Sequence, residues 1–118
     1  MSITAAVTID DLRHAAQAGG AQIADLVTDD VEFTEIDQRT PPAAPQVHRG
    51  RSALLALAEE LEQRGIQMEV ADGFIAGDRG AVRMVCTYPE GRKVVEHALV
   101  TLRDGKIARW DGVQAWDD

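Results

Sequence analysis

Cysteine occurs once in the 118-residue chain, as Cys86, so an internal disulfide is excluded. No Cys/His cluster supplies the four ligands of a structural zinc, and the expected setting is the reducing cytoplasm. Long apolar runs are also missing. No stretch approaches the roughly 18 consecutive apolar residues of a membrane helix, and "MSITAAVTIDD" lacks the basic and apolar regions of a secretion signal. A membrane is therefore not expected as a partner. Basic residues are the minority, 12 Lys and Arg against 20 Asp and Glu, for a net charge of −8. Such a chain repels a phosphate backbone, which excludes nucleic acid. The three histidines, His14, His48 and His97, show no His-x-x-x-His spacing, so no metal site is expected. Aromatics are scarce too: Phe33, Phe74, Tyr88, Trp110 and Trp116.

What is present reads as one domain over residues 1–118, long enough for one core. Thr8 before "IDDLRHAAQAG" offers a hydroxyl N-cap, Ile9, Leu12 and Ala16 share a helical stripe, and Gly19-Gly20 stops it. "AQIADLVTDD" gives a second, short helical stretch. "VEFTEI" alternates Val31, Phe33 and Glu35 against Glu32, Thr34 and Ile36, a strand whose apolar side is broken by Glu35. "DQRTPPAAPQVHRG" holds three of the four prolines and reads as an exposed loop and candidate lid. "SALLALAEELEQRG" is a helix capped by Ser52 and ended by Gly65. From Ile66 onward four strands follow, joined at "GDRG", "PEGR" and "RDGK".

Helices first and strands last predict an α+β fold. In the strand 94–102, Glu96, Ala98, Val100 and Leu102 alternate with Val95, His97, Leu99 and Thr101, so both faces are largely apolar. A face turned away from the helices must then be covered, most simply by a second copy in a two-fold homodimer.

The order of these elements, with "LVTDDVEF", "HRGRSALLALAEEL", "AGDRGAVRMVCTY" and "GRKVVEHALVTLRDGKIARW", resembles the nuclear transport factor 2-like superfamily, in its SnoaL-like and ketosteroid-isomerase-like branch. The resemblance implies a bent antiparallel sheet wrapped around about three helices, a cone-shaped barrel with an internal pocket, commonly homodimeric through the outer sheet face. It also implies a cofactor-free protein. In ketosteroid isomerases the base lies just after the first strand begins, at or near Glu35. Their two oxyanion donors have no counterpart here, where Asp11 or Leu12 and Ala98 to Val100 stand. The Arg-x-Asp pair of limonene-epoxide-hydrolase-like relatives is missing from "AVRMVCTY". SnoaL-like cyclases use an Asp with a nearby His, and Asp111 and His97 are the nearest matches.

The candidate catalytic residues are therefore Glu35, His97 and Asp111: either carboxylate as base, His97 as assisting donor. Phe33, Trp110 and Tyr88 are the candidate pocket-lining aromatics. Trp110 and Trp116, with Gly112 as a gap between them, read either as walls for a flat ligand or as core. Tyr88 is either a rim donor or a turn packer. His97 and Asp111 share a face only with an odd loop or a bulge in the closing hairpin. A strict two-residue turn at Asp104-Gly105 sets Ala98 opposite Asp111, and a three-residue loop sets His97 there. On a shared face they are either a catalytic pair or a cross-strand polar pair on the outside. Cys86, mid-strand and without a base, reads as inert. Two functions follow: acid/base chemistry of cyclase or isomerase type on an apolar, carbonyl-bearing small molecule, or a non-catalytic ligand-binding or dimerisation module.

Overall fold

The computed structural model describes residues 6–117. Helix α1 spans Ile9–Gln17 and starts as expected: Thr8 Oγ1 accepts from the Asp11 N–H while the Asp11 carboxylate accepts from the Thr8 N–H, a reciprocal capping box. A 3₁₀ turn, Ala21–Leu26, delivers the chain into β1, Val27–Ile36, four residues earlier than the apolar alternation alone marks. β2, Gln46–Arg49, lies inside the segment expected to be wholly loop. Four residues with one apolar side chain carry no periodicity. Pairing with β1, which sets Phe33 against His48 and Glu35 against Gln46, supplies the order instead.

Helix α2, Arg51–Gln63, is not capped by Ser52. Its N-cap is Gly50, whose φ of 90° lets the chain turn straight from β2 into the helix while its N–H bonds the Val31 carbonyl at 2.8 Å. Arg51 then ties the helix to β1 through the Val27 carbonyl at 2.7 Å and an ion pair with Asp29. The remaining strands are β3 (Gln67–Ala76), β4 (Arg79–Thr87), β5 (Lys93–Arg103) and β6 (Lys106–Trp116).

The sheet order is β2-β1-β6-β5-β4-β3. All neighbours are antiparallel except β1 and β6, which run parallel, so the sheet is mixed where a purely antiparallel one was expected. The β3-to-β6 meander leaves the edge of β6 free, and β1 takes that edge in the parallel sense. The sheet is also open rather than a closed barrel: β2 and β3 are its two edges, with α1 packed against β3 and α2 against β1 and β2. Leu12, Val27, Val31, Val100 and Ile107 are fully buried in the core between helices and sheet.

The closing hairpin resolves the parity question. Arg103 pairs with Lys106 across the two-residue turn Asp104-Gly105, where φ is 53° and 79°, the combination a type I′ turn requires. A bulge at Ala108 then shifts the register between Leu102↔Ile107 and Thr101↔Arg109. Leu99 therefore faces Asp111, and His97 faces Val113. Neither of the two simple hairpins predicts this, because the extra residue sits in the strand and not in the turn.

Candidate functional site

The inward stripe of β1 runs Val31, Phe33, Glu35, as its alternation predicts. Parallel pairing with β6 sets Phe33 beside Trp110 and Glu35 beside Gly112. Phe33 and Trp110 stack flat, centroids 5.1 Å apart and planes 2° from parallel. One strand further, Glu96 of β5 lies opposite Gln114, and Ala98 opposite Gly112. Gly112 is thus a missing side chain between two carboxyl-bearing strands. A Cβ there would overlap the Glu96 carboxylate, so the gap between the two tryptophans is occupied by that group.

Indole and amide N–H groups hold the carboxyl pair. Trp110 Nε1 donates to Glu96 Oε2 at 2.6 Å, and Gln114 Nε2 donates both to Glu96 Oε1 at 3.1 Å and to Glu35 Oε2 at 2.6 Å. Trp116 Nε1, which can only donate, bonds Gln114 Oε1 at 3.1 Å. That contact turns the amide oxygen away from the acids and its N–H groups toward them. Glu96 is buried, and both its oxygens are occupied. Of Glu35's two oxygens, Oε2 is held by Gln114, while Oε1 lies 3.7 Å from His48 Nε2.

Burial, then the neighbouring Glu96 carboxyl, push the Glu35 pKa up to about 8, with a smaller push from Asp37. Two carboxylates in one dry site cannot both ionise at neutral pH, so Glu35 keeps its proton there. The same surroundings act on Cys86: burial first, then the charges of Glu96 and Glu35, raise its thiol to about 11, which suits an inert sulfur. Glu35, Phe33 and Trp110 border a small, half-open cavity of about 70 Å³, lined on the helix side by Leu12, Leu54 and Leu57. Glu35 is the acid that meets this space, and Glu96 stands behind it.

The other expected site residues lie elsewhere. The bulge puts His97 and Asp111 on one face, but it is the outer one, across the sheet from Glu35. There Arg83 Nε donates to His97 Nε2 at 2.9 Å, and Arg109 Nε pairs with Asp111 Oδ2 at 3.0 Å. Both belong to an open groove of about 630 Å³ that also contains the exposed Phe74, Leu99 and Val113. Tyr88 packs in a satellite cluster with Ile66, Val94 and Trp116, under the Arg92 guanidinium 4.3 Å from its ring centre. Among the described residues no three His, Cys, Asp or Glu side chains gather as metal ligands, and no helix is long and apolar enough to cross a membrane.

Sequence reasoning missed Glu96, Gln114 and His48. Glu96 carried the same signal as Glu35, a charge on a core-facing stripe, but the largely apolar character of both faces of β5 hid it. Gln114 depends on the Ala108 bulge, and His48 on a strand that has no pattern.

No curated protein is similar enough in sequence to match. Among solved structures, an NTF2-like protein of unknown function from Mesorhizobium loti superposes with a TM-score of 0.73 at 23% identity, covering 91% of this chain and 87% of that one. A candidate ketosteroid isomerase from Kribbella flavida gives 0.71 at 18% identity, over 92% and 74% of the two chains. A protein with a ketosteroid isomerase-like fold from Catenulispora acidiphila, in complex with trimethylamine, gives 0.64 at 14% identity over 88% and 82%. These likenesses establish the NTF2-like cone fold. Residues 10–110 match the SnoaL-like domain, and the chain belongs to that family.

Proposed function

We propose that the protein binds an apolar, carbonyl-bearing small molecule inside the cone and performs acid/base chemistry of isomerase or cyclase type on it, without an organic cofactor. The observation that carries this reading is the carboxyl pair. Glu35 meets the cavity as a neutral acid, backed by Glu96, whose oxygens are already occupied. In its protonated form Glu35 donates to a carbonyl oxygen. In its ionised form it removes a proton α to that carbonyl, and a pKa of about 8 keeps both forms within reach of working pH. Phe33 and Trp110 supply a flat wall. The substrate must widen the present cavity of about 70 Å³, and the unbranched Met68 on its lining is the side chain best able to move aside.

The test is solvent exchange. Small cyclic ketones incubated with the protein in D₂O should lose α-protons faster than in buffer, with a rate that rises toward pH 8. Glu35→Gln should return the rate to background. Wild-type exchange at the buffer rate would refute the chemistry.

The second reading, a binding module without turnover, is favoured by the small cavity and by the single acid on its wall, Glu35, which suits a small amine. Trimethylamine, the ligand of the Catenulispora protein, is the natural probe. Calorimetric binding with no exchange activity would support this reading. We also propose that the outer face, with Phe74, Leu99 and Val113 exposed around the Arg83–His97 contact, pairs two copies as a homodimer, and that the protein works in the cytoplasm. A single monomeric species in sedimentation at micromolar concentration would refute the dimer.

A further inference from the structure

We infer that His48 is a positioning residue for Glu35, a relay that carries the acid's proton between the cone interior and the open edge of the sheet. The inference rests on the reading of Glu35 as the working acid. It concerns how that acid is recharged, not what it acts on.

β2 places the imidazole. Because Phe33 faces His48 and Glu35 faces Gln46, the His48 side chain shares the inward face of β1 and stands diagonal to Glu35, within reach of it. Its Nε2 is fully buried, has no hydrogen-bond partner among the described residues and lies 3.7 Å from Glu35 Oε1. Buried polar atoms in native proteins are paired, so an unpaired one pointing at an acid marks a bond that forms in another protonation state. A movement of under about 1 Å closes it, and catalytic hydrogen bonds are commonly long before ligand binds. The His48 side chain as a whole is 19% exposed. Since Nε2 is buried, that exposure lies elsewhere on the side chain, which meets water at the outermost strand while Nε2 stands beside the acid.

The other groups facing Glu35 cannot do this. Glu96, from β5, is an acid with both oxygens occupied by Trp110 and Gln114. Asp37, two residues along, has Oδ1 filled by the N–H groups of Arg39 and Thr40 and by the Thr40 hydroxyl. Cys86, from β4, is a buried thiol whose raised pKa makes it a poor proton carrier. Helices α1 and α2 offer the cavity only apolar side chains, among them Leu12, Leu54 and Leu57. Among the described residues that face Glu35, His48 alone is both basic and in contact with solvent.

The step balances without a co-reactant. The O–H bond at Glu35 Oε1 breaks as an N–H bond forms at His48 Nε2, giving a carboxylate and an imidazolium held as an ion pair. The Nδ1 proton then leaves to water, and the reverse sequence reloads the acid.

NMR on the full chain, with ¹³C-labelled glutamate carboxyls and ¹⁵N-labelled histidine, tests this from pH 5 to 10. In the wild type, the His48 ring nitrogens should show an inflection at the pH where the Glu35 carboxyl titrates. Glu35→Gln should abolish that inflection, and His48→Gln should move the Glu35 midpoint upward by about one pH unit, since a potential cation is lost. A His48 titration unchanged by Glu35→Gln, or a Glu35 midpoint unchanged by His48→Gln, overturns the relay. Should His48→Gln fail to fold, the Glu35→Gln arm decides alone. No substrate is needed, so a failed ketone assay with coupled titrations sinks only the chemistry. Ketone exchange with uncoupled titrations sinks only the relay.

Discussion

Replacing Glu35 by glutamine should change how the stability of this protein responds to pH. In the unfolded chain Glu35 titrates near 4.5, and in the fold near 8. Between those values the folded state keeps a proton that the unfolded state has released. The proton's contribution to stability is therefore fully present below pH 4.5, declines as pH rises, and is gone above pH 8. A tenfold change in proton affinity is worth about 1.4 kcal/mol, so the whole effect is roughly 5 kcal/mol, of which roughly half falls between pH 6 and 9. Glutamine is neutral throughout and mimics the protonated acid, and its side-chain oxygen can still accept from Gln114. Urea denaturation followed by tryptophan fluorescence at pH 6, 7, 8 and 9 gives the two stability curves, and the small size of the domain suits a two-state treatment. The Glu35→Gln protein should gain on the wild type by roughly 2–3 kcal/mol across that range. Titrations common to both proteins cancel in the difference. Parallel curves would show that Glu35 is ionised in the fold at neutral pH, and would refute a proton held within the carboxyl pair.

Gly112→Ala should destabilise the fold by about 1–3 kcal/mol, because its Cβ displaces the Glu96 carboxylate, and should lower the Glu35 midpoint in a ¹³C-carboxyl titration as the pair separates. Trp110→Phe keeps the stack on Phe33 but strips the donor from Glu96 Oε2. A loss of about 1–3 kcal/mol in urea denaturation is expected, and no loss would mean that the indole contact is idle. Leu99→Lys, on the exposed outer stripe, should give a monomer in sedimentation velocity with an unchanged circular dichroism spectrum, whereas a dimer unaffected by it would place the interface elsewhere.

How far the sequence discloses this molecule depends on whether a residue's neighbours are local or remote. The Thr8 cap, the Asp104-Gly105 turn and the alternation that points Glu35 inward are set by residues a few positions apart, and all three are legible. The mixed sheet, the short edge strand β2 and the absence of a side-chain cap on α2 come from partners far along the chain. β1 meets β6 only after four other strands and a helix have intervened, and β2 exists only because β1 is beside it. Gly50 replaces the expected Ser52 because the turn out of β2 needs a positive φ more than a hydroxyl.

The candidate site falls between these cases. Glu35 is visible as a charge breaking an apolar stripe, but what chiefly raises its pKa besides burial is Glu96, four strands later, and Glu96 reaches it only because Gly112 is vacant and Ala108 bulges. The bulge is the decisive detail. It brings Gln114 opposite Glu96, where the amide can bridge both acids, and by the same one-residue shift leaves Asp111 opposite Leu99 on the outer face with His97. A hairpin with the same two-residue turn and no bulge would set Glu96 against Val113 instead. Gln114 would then project from the other face of β6, and the amide that bridges the two acids would be turned out of the cone.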